Sequence, residues 1–137
     1  MKKISKYILL LSLLAVFLVS SCSKDSETTF VVTRATLTGK WLVSESKKKN
    51  TYEVTIFIDS TTTNGILINN FAGAGTNVNA LAYLSGTTLE LPSNELLSNG
   101  WIVNGNGKVT TATHIDWPFS LDDGANSTTV KAVFTKK

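Results

Sequence analysis

An all-β chain, folded as a single antiparallel domain of about eight strands closing into an up-and-down barrel, is predicted by three observations. Apolar and polar residues alternate at a period of two in several short stretches. The stretches recur at roughly 8–12 residue spacing and are separated by Asn-Gly, Ser-Gly and Asp-Gly pairs, which supply the positive φ of tight hairpins. No window of helical length carries a 3.6-residue apolar stripe. Composition agrees, since Thr accounts for 19 residues and Asn for 11 while Gln is absent, a mixture that disfavours helix. No connection is long enough for the crossover helix of a parallel sheet, and closure removes exposed strand edges. A compact β-sandwich is the alternative arrangement of the same strands.

From the N-terminus, residues 1–21 have a basic start, an apolar run over 7–19 broken only by Ser12, and small residues at the end, the three-part build of a cleaved signal peptide. The stretch 8–19 would rise only about 18 Å as a helix, short of the roughly 30 Å hydrocarbon core. Lys2, Lys3 and Lys6 are three of the 13 basic residues, so the chain from Cys22 onward balances its remaining basic residues against 10 acidic ones. A neutral body lacks the electrostatic footprint of a nucleic-acid binder.

Val19-Ser20-Ser21-Cys22 resembles the lipobox of bacterial lipoproteins, an aliphatic residue and two small ones before a cysteine whose thiol is acylated. Cys22 is the single cysteine, which excludes a disulfide within one molecule. The resemblance implies a membrane anchor through lipid on Cys22, and Ser23 in place of the family's inner-membrane Asp implies the outer membrane. Residues 22–36 read as a lipidated flexible tether, with Ser23-Lys24-Asp25-Ser26-Glu27 similar to the acidic tethers that direct some lipoproteins outward. The domain is expected over 37–137.

Within it, Tyr52, Val54, Ile56 and Ile58 point one way and Glu53, Thr55 and Asp59 the other, while Ile115, Trp117, Phe119 and Leu121 alternate with His114, Asp116, Pro118 and Ser120. Further strands are expected at 40–46, 65–71, 77–84, 87–91, 101–104, 108–113 and 128–135. Asn104-Gly105-Asn106-Gly107 reads as a turn or bulge, Ala72-Gly73-Ala74-Gly75 as a close-packed or mobile loop, and 93–97 as a single helical turn. Gly39-Lys40-Trp41 at the start of the first strand resembles the Gly-x-Trp opening of lipocalins and related calycin barrels. That resemblance, over about 37–136, implies that Trp41 plugs the closed end and that a basic residue of the last strand packs on it. The last strand offers Lys131 and Lys136 and no Arg.

No enzymatic constellation emerges. His114 is the only histidine, and on one strand His114, Asp116 and Ser120 spread over roughly 20 Å, too far for a Ser/His/Asp relay. No metal ligands, cofactor loop or catalytic set is expected; Asp122-Asp123-Gly124 reads as a β-turn and Lys47-Lys48-Lys49 as a solvated hairpin tip. The aromatics are the functional lead: Trp41 and Trp117 belong to the core, while Trp101 and Tyr83 are candidate ligand-binding residues at the rim. The expected function is a non-catalytic binding or accessory module on the outer membrane for a small apolar ligand or a glycan. The alternative is a structural or envelope-assembly lipoprotein that binds a protein partner.

Overall fold

The structure, a computed structural model, describes residues 30–137. The signal peptide, the Cys22 lipidation site and the first part of the tether lie outside the described residues. A four-residue helix α1 (Arg34–Leu37) leads into ten strands: β1 (Gly39–Glu45), β2 (Tyr52–Ile58), β3 (Gly65–Asn69), β4 (Asn79–Ser85), β5 (Thr88–Glu90), β6 (Glu95–Leu96), β7 (Ile102–Asn104), β8 (Asn106–Thr111), β9 (His114–Asp122) and β10 (Ser127–Lys136).

Every pairing is antiparallel, and β10 pairs with both β9 and β1, which closes the cylinder. β7 and β8 follow one another along β9, Ile102 facing Asp122 and Lys108 facing Asp116, so the two are one barrel strand in two pieces. β5 and β6 lie along β8 and β7 in the same way. The result is an eight-strand up-and-down antiparallel barrel, as the alternation predicts, and the sandwich alternative is set aside.

The broken strand has a local cause. The Lys131 carbonyl accepts from Ser46 N and Lys137 N donates to the Lys40 carbonyl, so odd-numbered residues of β10 turn their backbone polar groups toward β1. Pro118, paired with Lys131, therefore turns its own toward the β7–β8 side, where it has no N–H to give. Gly105 sits at this gap with φ +137. Of the turn and the bulge that the Asn104–Gly107 stretch allows, the structure shows an irregularity within one barrel strand and not a hairpin turn.

Residues 93–97 are not a helical turn. Glu95 and Leu96 form β6 against β7, because the Glu95 Oε1 accepts from Leu81 N and Leu97 N donates to the Trp101 carbonyl. Tertiary partners outweigh the weak local preference. Conversely, residues 34–36, read as tether, join Leu37 in α1. A reciprocal cap starts it: Thr36 N donates to Thr33 Oγ1, and Thr33 N donates to Thr36 Oγ1. Arg34 Nη1 then donates to the carbonyls of Asp59 (3.0 Å) and Thr62 (3.1 Å), which clamps α1 onto the β2–β3 loop.

The core fills the barrel: Trp41, Trp117, Phe71, Phe134, Ile56 and Ile68 are fully buried, each worth about 1.5–3 kcal/mol of burial. Trp41 closes the α1 end, its Nε1–H donating to the Leu37 carbonyl at 2.8 Å. Lys136 Nζ lies 5.5 Å from the Trp41 ring centroid, while Lys131 sits on the outer wall opposite Pro118. Lys136 thus occupies the position that the calycin resemblance implies for a basic residue.

Beside this end the Asp59 carboxylate accepts from Thr61 N and from the hydroxyls of Thr61 and Thr62. The Thr61 backbone N–H first, then the hydroxyls and finally the Arg34 charge, hold its carboxyl below the usual aspartate value of 3.8. The folded state therefore binds this proton less readily than the unfolded chain. The resulting stability is present above the ordinary aspartate range and is lost as pH falls through the lower folded value. Thermal melts at decreasing pH should show this loss, and Asp59→Asn should melt lower at neutral pH yet decline less in acid. An acid slope identical in the two proteins would exclude Asp59 as its source.

Candidate functional site

The end opposite Trp41 is closed by the β3–β4 connection, a 3-10 turn over Phe71–Gly73. Asn70 (φ 62) and Ala72 (φ 58) are both left-handed, a conformation that costs a residue such as alanine about 1–2 kcal/mol. The Asn70 side chain holds the turn, its Nδ2 donating to the Glu53 carbonyl and its Oδ1 accepting from Gly75 N, each at 2.8 Å. The twist drives Phe71 into the barrel, where its ring lies 5.2 Å from Trp117 at 68° and 4.9 Å from Phe119. Of the two alternatives for this glycine-rich loop, the structure shows the packed one, with Ala72 also buried.

Under Phe71 the aromatic floor is shaped by a missing side chain. A Cβ on Gly107 would fall 2.6 Å from Trp117 Cδ2, so only glycine lets the indole lie against β8. Trp117 is fully buried, yet its Nε1–H has no hydrogen-bond partner among the described residues. An orphaned donor of this kind costs about 1–3 kcal/mol.

A second polar group enters from β1. Glu45 continues the inward alternation of Trp41 and Val43 and is buried, with 4% exposure. It faces Ala132 on β10, which in turn faces Trp117 on β9, so carboxylate and indole share one row separated by a small residue. Tyr52 Oη donates to Glu45 Oε1 at 2.6 Å, and Lys48 Nζ lies 3.0 Å from Glu45 Oε2. Burial, reinforced by the hydrogen bond to Glu45 and its charge, pushes the Tyr52 phenol far above its usual range, so it remains a neutral donor. This end of the barrel therefore has an aromatic interior, one free N–H and one buried carboxylate.

Trp101 is half-buried just before β7 and packs against the core. Its loop leans on the Phe71 turn through Asn99 Nδ2, which donates to the Ala74 carbonyl, so Trp101 belongs to the plugged end. Tyr83 lies on β4 between Gly65 and Glu90, toward the Asp59 loop. The structure does not bring Trp101 and Tyr83 together. His114 and Asp116 are exposed on the outer face of β9, with Ser120 farther along it, and Lys48 of the basic hairpin tip turns back onto Glu45. Sequence reasoning missed Glu45, Tyr52 and Phe71 as parts of one site. Only Glu45 carried a signal, a charge at an inward position of an alternating strand.

On the outer wall, a shallow pocket of about 330 Å³ lies between β9 and β10, lined by Asp116, Trp117, Pro118, Lys131, Ala132 and Val133.

These features define a small closed antiparallel β-barrel plugged at both ends by its own side chains. No family model matches the chain, and no curated protein matches it. Among solved structures, that of EF1p2_mFAP2b bound to DFHBI is similar, with a TM-score of 0.50 at 12% identity over 75% of this chain and 95% of that one. The likeness is one of fold.

Proposed function

We propose that this chain is a non-catalytic binding module, anchored to the outer membrane through lipid on Cys22, whose ligand is a small, flat, largely apolar molecule bearing a hydrogen-bond acceptor. The ligand takes the place of Phe71 at the plugged end of the barrel. The observation that carries this reading is the Trp117 N–H, fully buried among aromatic rings and without an acceptor among the described residues. An entering carbonyl or ring nitrogen would remove that penalty, while Phe119 and Phe134 would receive the flat body of the ligand by stacking. The left-handed Ala72 gives the turn a reason to yield. The barrel bound to DFHBI lends the reading a precedent in fold. A glycan fits less well, because its many hydroxyls need more partners than one donor and one carboxylate.

The test uses a panel of flat aromatic probes that includes DFHBI, titrated against wild type, Phe71→Leu and Phe71→Ala, each first checked for folding by circular dichroism. Saturable binding should tighten about tenfold from wild type to the emptied variants, and Trp117→Phe in the same background should weaken it by about 3- to 10-fold, the worth of one hydrogen bond. Absence of saturable binding in all three proteins would reject the site. The outer-wall pocket between Asp116 and Lys131 would then favour the second reading, an envelope lipoprotein that engages a protein partner through its exterior.

A further inference from the structure

We propose that the Trp41 end of the barrel is a membrane-docking surface, which lies down on the bilayer and leaves the Phe71 end facing away from it. The inference rests on the Cys22 anchor of the proposed function and adds the orientation of the domain.

Three observations converge. Seven large apolar side chains are exposed among the described residues, and four of them, Phe30 (36%), Val31 (65%), Phe57 (51%) and Ile58 (43%), belong to this one end. Phe57 and Ile58 finish β2 immediately before Asp59, whose carbonyl receives Arg34, and Phe30 and Val31 lead into the Thr33 cap of α1. Clustered apolar exposure marks a surface that meets something.

Charge at this end suits an anionic bilayer. Lys136 donates to the Thr36 carbonyl at this end, and Lys40 and Lys137, whose backbones lie beside it, reach along the outer wall to Glu53 at 2.9 and 2.8 Å, so three lysines accompany one glutamate. Arg34 and Asp59 are joined through the β2–β3 loop and leave no net charge. Lysines around exposed aliphatic and aromatic side chains form the pairing that interfacial attachment uses.

The position of the anchor selects the occupant. Cys22 precedes Phe30 by eight residues, a contour of at most about 29 Å at 3.6 Å per residue. A lipid on Cys22 therefore holds the α1 end, and not the Phe71 end, next to the bilayer. At such a tether length the effective concentration is in the millimolar range, so a patch too weak to bind membranes alone still docks.

Peptide-resolved hydrogen–deuterium exchange on the full chain attached to phosphatidylethanolamine–phosphatidylglycerol vesicles tests the orientation. Amides of 30–33 and 57–64 should exchange several-fold more slowly on vesicles than in detergent-free solution, whereas those of 46–50 and 123–126 at the opposite end should not change. A Phe57→Asp, Ile58→Asp double variant should lose the slowing while remaining attached. Equal rates at both ends, or slowing confined to 46–50 and 123–126, would overturn the docking surface. Mass spectrometry of the same samples reads acylation of Cys22. If Cys22 carries no lipid the anchor reading falls by itself, and the exchange is then repeated with the chain coupled through the Cys22 thiol to a maleimide-headed lipid, which still decides the docking.

Discussion

Gly105→Ala is expected to be the most damaging single-methyl change in the domain, costing at least about 4 kcal/mol, the range reserved for direct structural conflicts. The new Cβ would lie 2.5 Å from the Pro118 carbonyl oxygen and 2.8 Å from Phe119 Cα, and both are backbone atoms of the longest-paired strands of the barrel. A side chain can swing aside; a ladder cannot. The φ of +137 adds strain that no residue with a Cβ relieves. Gly86→Ala is the matched control, since its φ is also positive but no atom of the described residues lies within 4 Å of the added carbon. It should cost only the conformational term of about 1–2 kcal/mol. Urea denaturation of the two variants decides: similar losses at both positions would show that the Pro118 contact is relieved elsewhere. Against a total stability of about 5–15 kcal/mol, a loss of this size removes a large share of what holds the barrel folded.

Trp41→Ala should cost about 3–5 kcal/mol, as large-to-small core changes do. The indole is fully buried, its N–H fixes the end of α1 through the Leu37 carbonyl, and its ring carries the Lys136 ammonium. Its loss therefore removes the plug and loosens both chain ends together. Trp41→Phe helps separate the contributions, because it keeps an aromatic plug while giving up the hydrogen bond, worth about 1 kcal/mol, and the volume of the indole's smaller ring. The prediction is checked by guanidinium denaturation together with limited proteolysis at α1, which should be cut readily in Trp41→Ala and slowly in Trp41→Phe. Equal stability of the two variants would mean that the plug is held by the hydrogen bond and not by packing.

The strands were legible where one face is buried. The alternation around Trp117 and around Val54 appears in the structure, because burial of one face imposes a period of two that sequence displays directly. It fails at the end of β2, where Ile58, read inward, is exposed and Asp59, read outward, is buried. What escaped was set across the sheet. The break at Gly105 depends on Pro118, which is distant in sequence and acts by the N–H it lacks. The strand at Glu95 depends on Leu81, and the inward turn of Phe71 on the Asn70 side chain reaching Glu53. α1 was hidden by its surroundings, since a Thr33–Thr36 cap is inconspicuous in a Thr-rich stretch. The Lys136 contact with Trp41 came within reach only through the Gly-x-Trp resemblance, which supplied a long-range partner that local pattern does not.

The closing seam between β1 and β10 sets the order of events during synthesis and folding. Trp41 is made early, yet its ladder partner is Lys136 on β10, the last strand of the barrel to be made. Until those last residues emerge, the hairpin meander can zip by local pairing but both of its outermost edges stay open to other chains. Folding to completion therefore waits for β10, its slow step the joining of first strand to last, and removal of β10 leaves a curved open sheet prone to self-association.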